Sequence, residues 1–117
     1  MGKEDILGGL LQELKRGTIV LSVLSQLKQP MYGYSLVTVL AENGMAVETN
    51  TLYPLLRRLE GQGLLTSEWD VGEGKPRKYY VITPEGEEIY GILCRQWRKN
   101  AEAMERLLGE PEGGAHE

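Results

Sequence analysis

Three patterns predict a mostly α-helical fold with a β-hairpin: a winged helix-turn-helix with an added N-terminal helix and a long C-terminal dimerisation helix. Apolar residues recur at helical spacing through the N-terminal half, the period switches to strand alternation after Gly63, and a long helical stripe follows Thr83. A chain of 117 residues has room for one modest core.

Ile6, Leu7, Leu10, Leu11 and Leu14 give the first helix, over residues 4–15, an apolar stripe despite Gly8 and Gly9. Two glycines lower its intrinsic stability, so it needs tertiary contacts to form. Lys15, Arg16 and Gly17 close it, and Thr18 begins a second helix with Ile19, Val20, Val23, Leu24 and Leu27 inward, ending before Pro30. Tyr32, Gly33 and Tyr34 lead into a third helix whose inward residues are Leu36, Val37 and Leu40 and whose stop is Gly44.

The stretch from Thr49 to Leu65 is the one the others are arranged to present. Leu52, Leu55, Leu56 and Leu59 form a stripe for the core, while Asn50, Thr51, Tyr53, Arg57 and Arg58 occupy the remaining surface. Thr49 or Asn50 caps the start, which puts Pro54 in or near the first turn, and Gly61 and Gly63 supply the stop. Amide, hydroxyl, phenol and guanidinium groups are what base edges and phosphates require of a helix lying in the major groove. A merely solvated helix face uses the same residue types, so the assignment depends on what lies beside it.

Beside it lies a hairpin. Leu65, Ser67 and Trp69 alternate with polar residues, as do Lys78, Tyr80 and Ile82 further on, and the glycines and proline of residues 70–76 make the turn. Lys75, Arg77 and Lys78 concentrate positive charge at its far side, a wing suited to a phosphate backbone. Thr83, Pro84 and Glu85 then open the last helix with a hydroxyl cap, a proline at the first helical position and acidic side chains in the first turn. Ile89, Leu93, Trp97, Asn100, Met104 and Leu107 run along it near coiled-coil spacing to Leu108. Its length of roughly 35 Å exceeds what a small winged-helix core covers, so its outer half is expected to meet a second copy, with the first helix contributing. The chain thus divides into a DNA-binding region over 1–83, a dimerisation helix over 84–108 and a disordered tail over 109–117.

The formal net charge of −4 argues at first sight against a polyanionic partner, but the charge is uneven. Residues 1–84 carry nine acidic and nine basic side chains, and residues 85–117 carry eight and four. The acidic excess therefore lies entirely in the C-terminal part, leaving the first part free to present a local basic surface. A single cysteine, Cys94, and no apolar run near the roughly 20 residues of a bilayer span point to the cytoplasm and away from the membrane.

In order along the chain, Leu14-Lys15-Arg16-Gly17-Thr18, Tyr32-Gly33-Tyr34, Thr51-Leu52-Tyr53-Pro54, Arg58-Leu59-Glu60, Gly63-Leu64-Leu65, Arg77-Lys78-Tyr79-Tyr80, Thr83-Pro84-Glu85-Gly86 and Trp97 resemble the PadR family of bacterial transcriptional regulators. Each motif alone is weak; their order and spacing across about residues 10–100 are specific. The resemblance implies a winged-helix dimer joined by its first and last helices, and a repressor that leaves double-stranded DNA with a two-fold operator when a small molecule binds. It also implies a flat apolar effector at the dimer interface, with Leu14, Trp97 and Ala101 around it. Trp97 has a second reading, as an aromatic that only closes the dimer seam.

No catalytic constellation is apparent. His116 stands in the tail, Cys94 has no neighbouring histidine in sequence, no paired cysteines have metal-ligand spacing, and Gly72-Glu73-Gly74 lies in a hairpin rather than between a strand and a helix. The expectation is a non-enzymatic protein without cofactor or metal. Asn50, Thr51, Tyr53, Arg57, Lys75, Arg77 and Lys78 are its candidate DNA contacts. A winged-helix module that binds another protein through the same helix and seam is the alternative, favoured by the acidic total and disfavoured by the wing's basic cluster.

Overall fold

The computed structural model describes residues 2–109. Its elements in chain order are α1 (Lys3–Arg16), α2 (Ile19–Gln26), β1 (Met31–Tyr32), α3 (Gly33–Glu42), α4 (Thr49–Gly61), β2 (Leu65–Asp70), β3 (Arg77–Ile82) and α5 (Pro84–Leu108). Helices α2, α3 and α4 surround a core of Val23, Leu24, Leu27, Leu36, Leu40, Leu52, Leu55, Leu56 and Leu59, closed from the sheet side by Leu65, Tyr80 and Ile82. The stripes of α2, α3 and α4, together with Leu65, Tyr80 and Ile82 of the hairpin, are therefore buried faces, because each of these elements has one apolar side to remove from water.

The sheet has three strands in the order β1-β3-β2, all antiparallel. Strand β1 lies beyond the predicted hairpin. Met31 pairs with Tyr80 and Tyr32 with Tyr79, covering the second edge of β3. Two residues carry no legible period, which is why the strand is invisible in the sequence.

The start of α4 differs from expectation. Glu48 is the N-cap, no side chain caps the helix, and Thr49 and Asn50 are already helical. Pro54 consequently sits in the second turn, where its missing N–H leaves the carbonyl of Asn50 without its usual helical donor. The helix starts early because buried Val47 anchors the chain just before it, and the extended Glu48 carbonyl accepts both the Thr51 and Leu52 N–H groups at 2.9 Å.

The junction after the wing is tightly fastened. The Thr83 hydroxyl accepts from the Gly86 N–H at 2.9 Å and donates to the Gly63 carbonyl at 2.7 Å, while the Thr83 N–H donates to Leu64 O at 3.0 Å. Gly63, at φ 83°, makes the turn that brings that carbonyl into place. Gly86 is buried so closely that a Cβ there would stand 2.2 Å from the Leu64 carbonyl oxygen. Tyr90 and Leu93 continue this packing along the first half of α5, whereas Ile92, Met104, Leu107 and Leu108 face outward.

Helix α1 buries none of its residues. Its whole stripe, from Ile6 to Leu14, is exposed, with Leu14 reaching 77%. Gly109, at φ 76°, closes α5 through a hydrogen bond from its N–H to Glu105 O at 3.1 Å. The rest of the expected tail, including His116, falls outside the described residues.

Candidate nucleic-acid interface

Helix α4 and the wing meet along a groove of about 410 Å³ lined by Tyr32, Gly33, Tyr34, Tyr53, Arg57, Trp69, Arg77, Lys78 and Tyr80. Five aromatic rings and three cations form this lining, and no acidic side chain does. On a chain of net charge −4, it is a local positive surface.

The α4 side of the groove follows from helical spacing. With Leu52, Leu55, Leu56 and Leu59 inward, Asn50, Tyr53 and Arg57 share the opposite stripe, and Asn50, Thr51 and Arg57 are exposed. Tyr53 is half-buried because its ring leans on the start of α3. Gly33 permits this: a Cβ at residue 33 would lie 2.5 Å from a Tyr53 ring carbon.

The wing side is set by register. Trp69 opposes Lys78 and Asp70 opposes Arg77 across β2 and β3. The Arg77 guanidinium lies 4.5 Å from the centre of the Tyr32 ring, and the Lys78 ammonium lies 5.7 Å from the centres of both Trp69 and Tyr80. Lys78 faces α4, 3.8 Å from Glu60, whereas Arg77 lies over Tyr32 on the other face of β3 at the groove's edge, and of the three only Lys75 occupies the loop between the strands. The basic cluster read as a wing tip is divided between loop and groove, because each strand cation places its charged head over an aromatic face.

Carboxylates behind the groove fix the wing without entering it. Glu60, in the last turn of α4, accepts from the Ser67 hydroxyl at 2.7 Å and stands 3.8 Å from the Lys78 ammonium, so one side chain ties the helix to both strands. The Tyr32 hydroxyl donates to Asp70 at 2.5 Å, joining β1 to the end of β2, and the Tyr79 hydroxyl donates to Glu68 at 3.0 Å. The first contact holds the Asp70 carboxyl below its ordinary range, aided by the Gly72 N–H and Arg77, and raises the Tyr32 phenol. Burial pushes the Tyr80 phenol up, with Glu60 adding to the effect.

Tyr32, Tyr34, Trp69 and Tyr80 were absent from the sequence-derived contacts. Tyr34 and Trp69 are 75% and 61% exposed, which marks them as surface aromatics of the groove rather than core. Their signal was present in the Tyr32-Gly33-Tyr34 triplet and in the alternation ending at Trp69, but the groove needs three separated segments to meet.

The residues named for an effector lie elsewhere and are not gathered within one chain. Trp97 is 46% exposed and, with Thr18, Leu21, Met45, Tyr90 and Cys94, lines a second groove of about 260 Å³ between α2 and α5. Leu14 and Ala101 are not in its lining. The Tyr90 phenol is raised by its hydrogen bond with Cys94 and by partial burial. Among the described residues there is no group of three His, Cys, Asp or Glu side chains placed to hold a metal ion, and no helix is long and apolar enough to cross a membrane.

The sequence model of the transcriptional regulator PadR-like family matches residues 20–91. A transcriptional regulator of Mycobacterium tuberculosis is 33% identical over 105 residues, spanning 89% of this chain and 92% of that protein. Among solved structures, a PadR family transcriptional regulator from Eggerthella lenta is 51% identical with a TM-score of 0.85, covering 92% of this chain and 96% of its own. A PadR-like transcription factor from Bacteroides fragilis is 33% identical with a TM-score of 0.70, covering 85% and 98%.

Proposed function

The chain belongs to the PadR-like family of transcriptional regulators, and we propose that it binds a specific double-stranded operator as a homodimer, inserting one α4 per subunit into successive major grooves. The observation that carries this reading is the groove in which Tyr53 and Arg57 of α4 stand with Arg77 and Lys78 of β3 in a lining that holds no acidic side chain, Glu60 and Asp70 meeting two of these cations from behind it. In this reading Asn50, Thr51, Tyr53 and Arg57 meet base edges and adjoining phosphates, while Lys75, Arg77 and Lys78 hold the backbone. Tyr34 and Trp69 flank the same surface and add aromatic contact with the sugar-phosphate edge.

The exposed apolar stripes of α1 and of the outer half of α5 supply the dimer seam. The protein acts in the cytoplasm as a repressor, and a flat apolar molecule held near Trp97 and Ala101 of α5 and Leu14 of the partnering α1 face releases it. Release requires that the ligand favour one spacing of the two α4 helices over another, since equal affinity for both states shifts nothing.

Mobility shift with the DNA upstream of the protein's own gene, at several salt concentrations and with excess nonspecific competitor, tests the reading. A discrete complex that survives competitor and protects a two-fold symmetric region is the expected result. Complexes lost to competitor at every salt concentration would transfer the same groove and seam to a protein-binding role. For the effector, quenching of Trp97 fluorescence in a Trp69→Phe background, with operator release by the same compound lost in Trp97→Ala while the dimer stays intact, is the corresponding outcome.

A further inference from the structure

The chain reaches α4 through residues 44–48, and this lead-in is fastened to the corner between α1 and α2. Gly44 turns the chain at φ 82°, the Met45 N–H donates back to Leu40 O at 2.8 Å, and Val47 is buried. Between these core anchors Ala46 is exposed, and its carbonyl accepts from the Lys15 ammonium at 2.7 Å across 31 residues of sequence. Met45 is tied to the same corner: its sulfur lies 3.7 Å from the Thr18 hydroxyl oxygen, which donates to Lys15 O at 2.8 Å. The Met45 side chain also lines the groove that contains Trp97 and Cys94. Two residues beyond Ala46, Glu48 is the N-cap of α4.

We propose that Lys15 is a positioning residue for the recognition helix: its ammonium clamps the Ala46 carbonyl, so that the orientation of α4 follows that of α1. A cation in the last turn of α1 is favoured by that helix's own dipole, and its charge strengthens the bond to a neutral carbonyl. Because α1 buries nothing within its own chain, whatever its apolar face packs against sets its angle. The clamp passes that angle to the lead-in and hence to α4. The inference rests on reading α4 as the DNA-contacting helix and α1 as part of a dimer seam, and it makes the distance between two α4 helices depend on how the seam is packed.

The full-length protein, Lys15→Met and Lys15→Arg are compared in two measurements. Without DNA, hydrogen exchange at the Thr51 and Leu52 amides, which close the first turn of α4 on Glu48, is expected to quicken several-fold in Lys15→Met and to stay at the parental rate in Lys15→Arg. Exchange at the Leu56 and Leu59 amides, deeper in α4, reports global stability and stays unchanged. With DNA, Lys15→Met is expected to weaken operator binding about fivefold to tenfold and to tolerate operators with one base pair added or removed between half-sites, with the salt slope unaltered. Unchanged exchange in Lys15→Met overturns the proposal, and so does a salt slope lower by about one, which makes Lys15 a direct phosphate contact. If the exchange difference appears while the parental protein binds no specific operator, the clamp stands and the DNA-binding reading fails.

Discussion

At the scale of single residues, the groove between α4 and the wing shows how cations are held in place. Arg77 and Lys78 lie against aromatic faces rather than moving freely in solvent, so in the proposed complex less side-chain freedom would be lost on binding a phosphate. Replacing both with alanine should weaken binding across all DNA sequences and flatten its salt dependence by about two phosphate equivalents; an unchanged slope in a salt titration would remove the wing from the contact. Arg57 lies on the helix stripe instead. Arg57→Ala should cost about 1–3 kcal/mol at the preferred operator and less on unrelated DNA, read as a reduced ratio of specific to nonspecific affinity. Asp70 gives a separate check on the wing's attachment. Its carboxyl is depressed chiefly by the Tyr32 hydroxyl, so the contact is present above the ordinary aspartate range and lost as pH falls through the lower folded value. Tyr32→Phe should therefore raise the Asp70 pKa in an NMR titration, and an unmoved value would mean that the contact does not form in solution.

At the scale of elements, two glycines decide how closely neighbours pack. Gly86 lets the first turn of α5 lie against the Leu64 carbonyl, and because the obstacle is backbone, it cannot swing aside. Gly86→Ala should cost about 1–3 kcal/mol, a melting temperature lower by roughly 5–15 °C in calorimetry. Gly33 meets a side chain instead, the Tyr53 ring. Gly33→Ala should displace that ring along the groove, reducing operator affinity with a smaller loss of stability. A variant that melts much lower but binds normally would reverse this assignment. Pro54 is the other element-scale feature: exposed in the second turn of α4, it lacks the N–H that would donate to the Asn50 carbonyl, which water can reach at little cost.

At the scale of the whole molecule, the chain is elongated, with extents of 61 × 35 × 23 Å, because α5 runs past the core and α1 stands off it. Exposed leucines and isoleucines line both helices, the surface that the proposed dimer seam would cover. Leu10→Glu removes about 2 kcal/mol of apolar burial from such a seam and adds the desolvation of a carboxylate, while leaving the protomer core untouched. Sedimentation at micromolar concentration should shift from dimer to monomer, with helical circular dichroism retained; a parental protein already monomeric at that concentration would overturn the seam itself.

The sequence by itself determined the helices, the hairpin and the inward stripes, because amphipathic period is a local property that survives without knowledge of neighbours. It also determined that Tyr53 and Arg57 lie away from the leucine stripe of α4, and that Thr83 caps α5. It misplaced the start of α4, since the anchor responsible, Val47, acts through the core rather than through a capping side chain. Strand β1 and the groove itself belonged wholly to the tertiary structure. Met31 and Tyr32 become a strand only when β3 offers an edge. Tyr34, Tyr53, Trp69 and Arg77 become one surface only when three segments distant in sequence pack together, a relation that no single segment's periodicity contains.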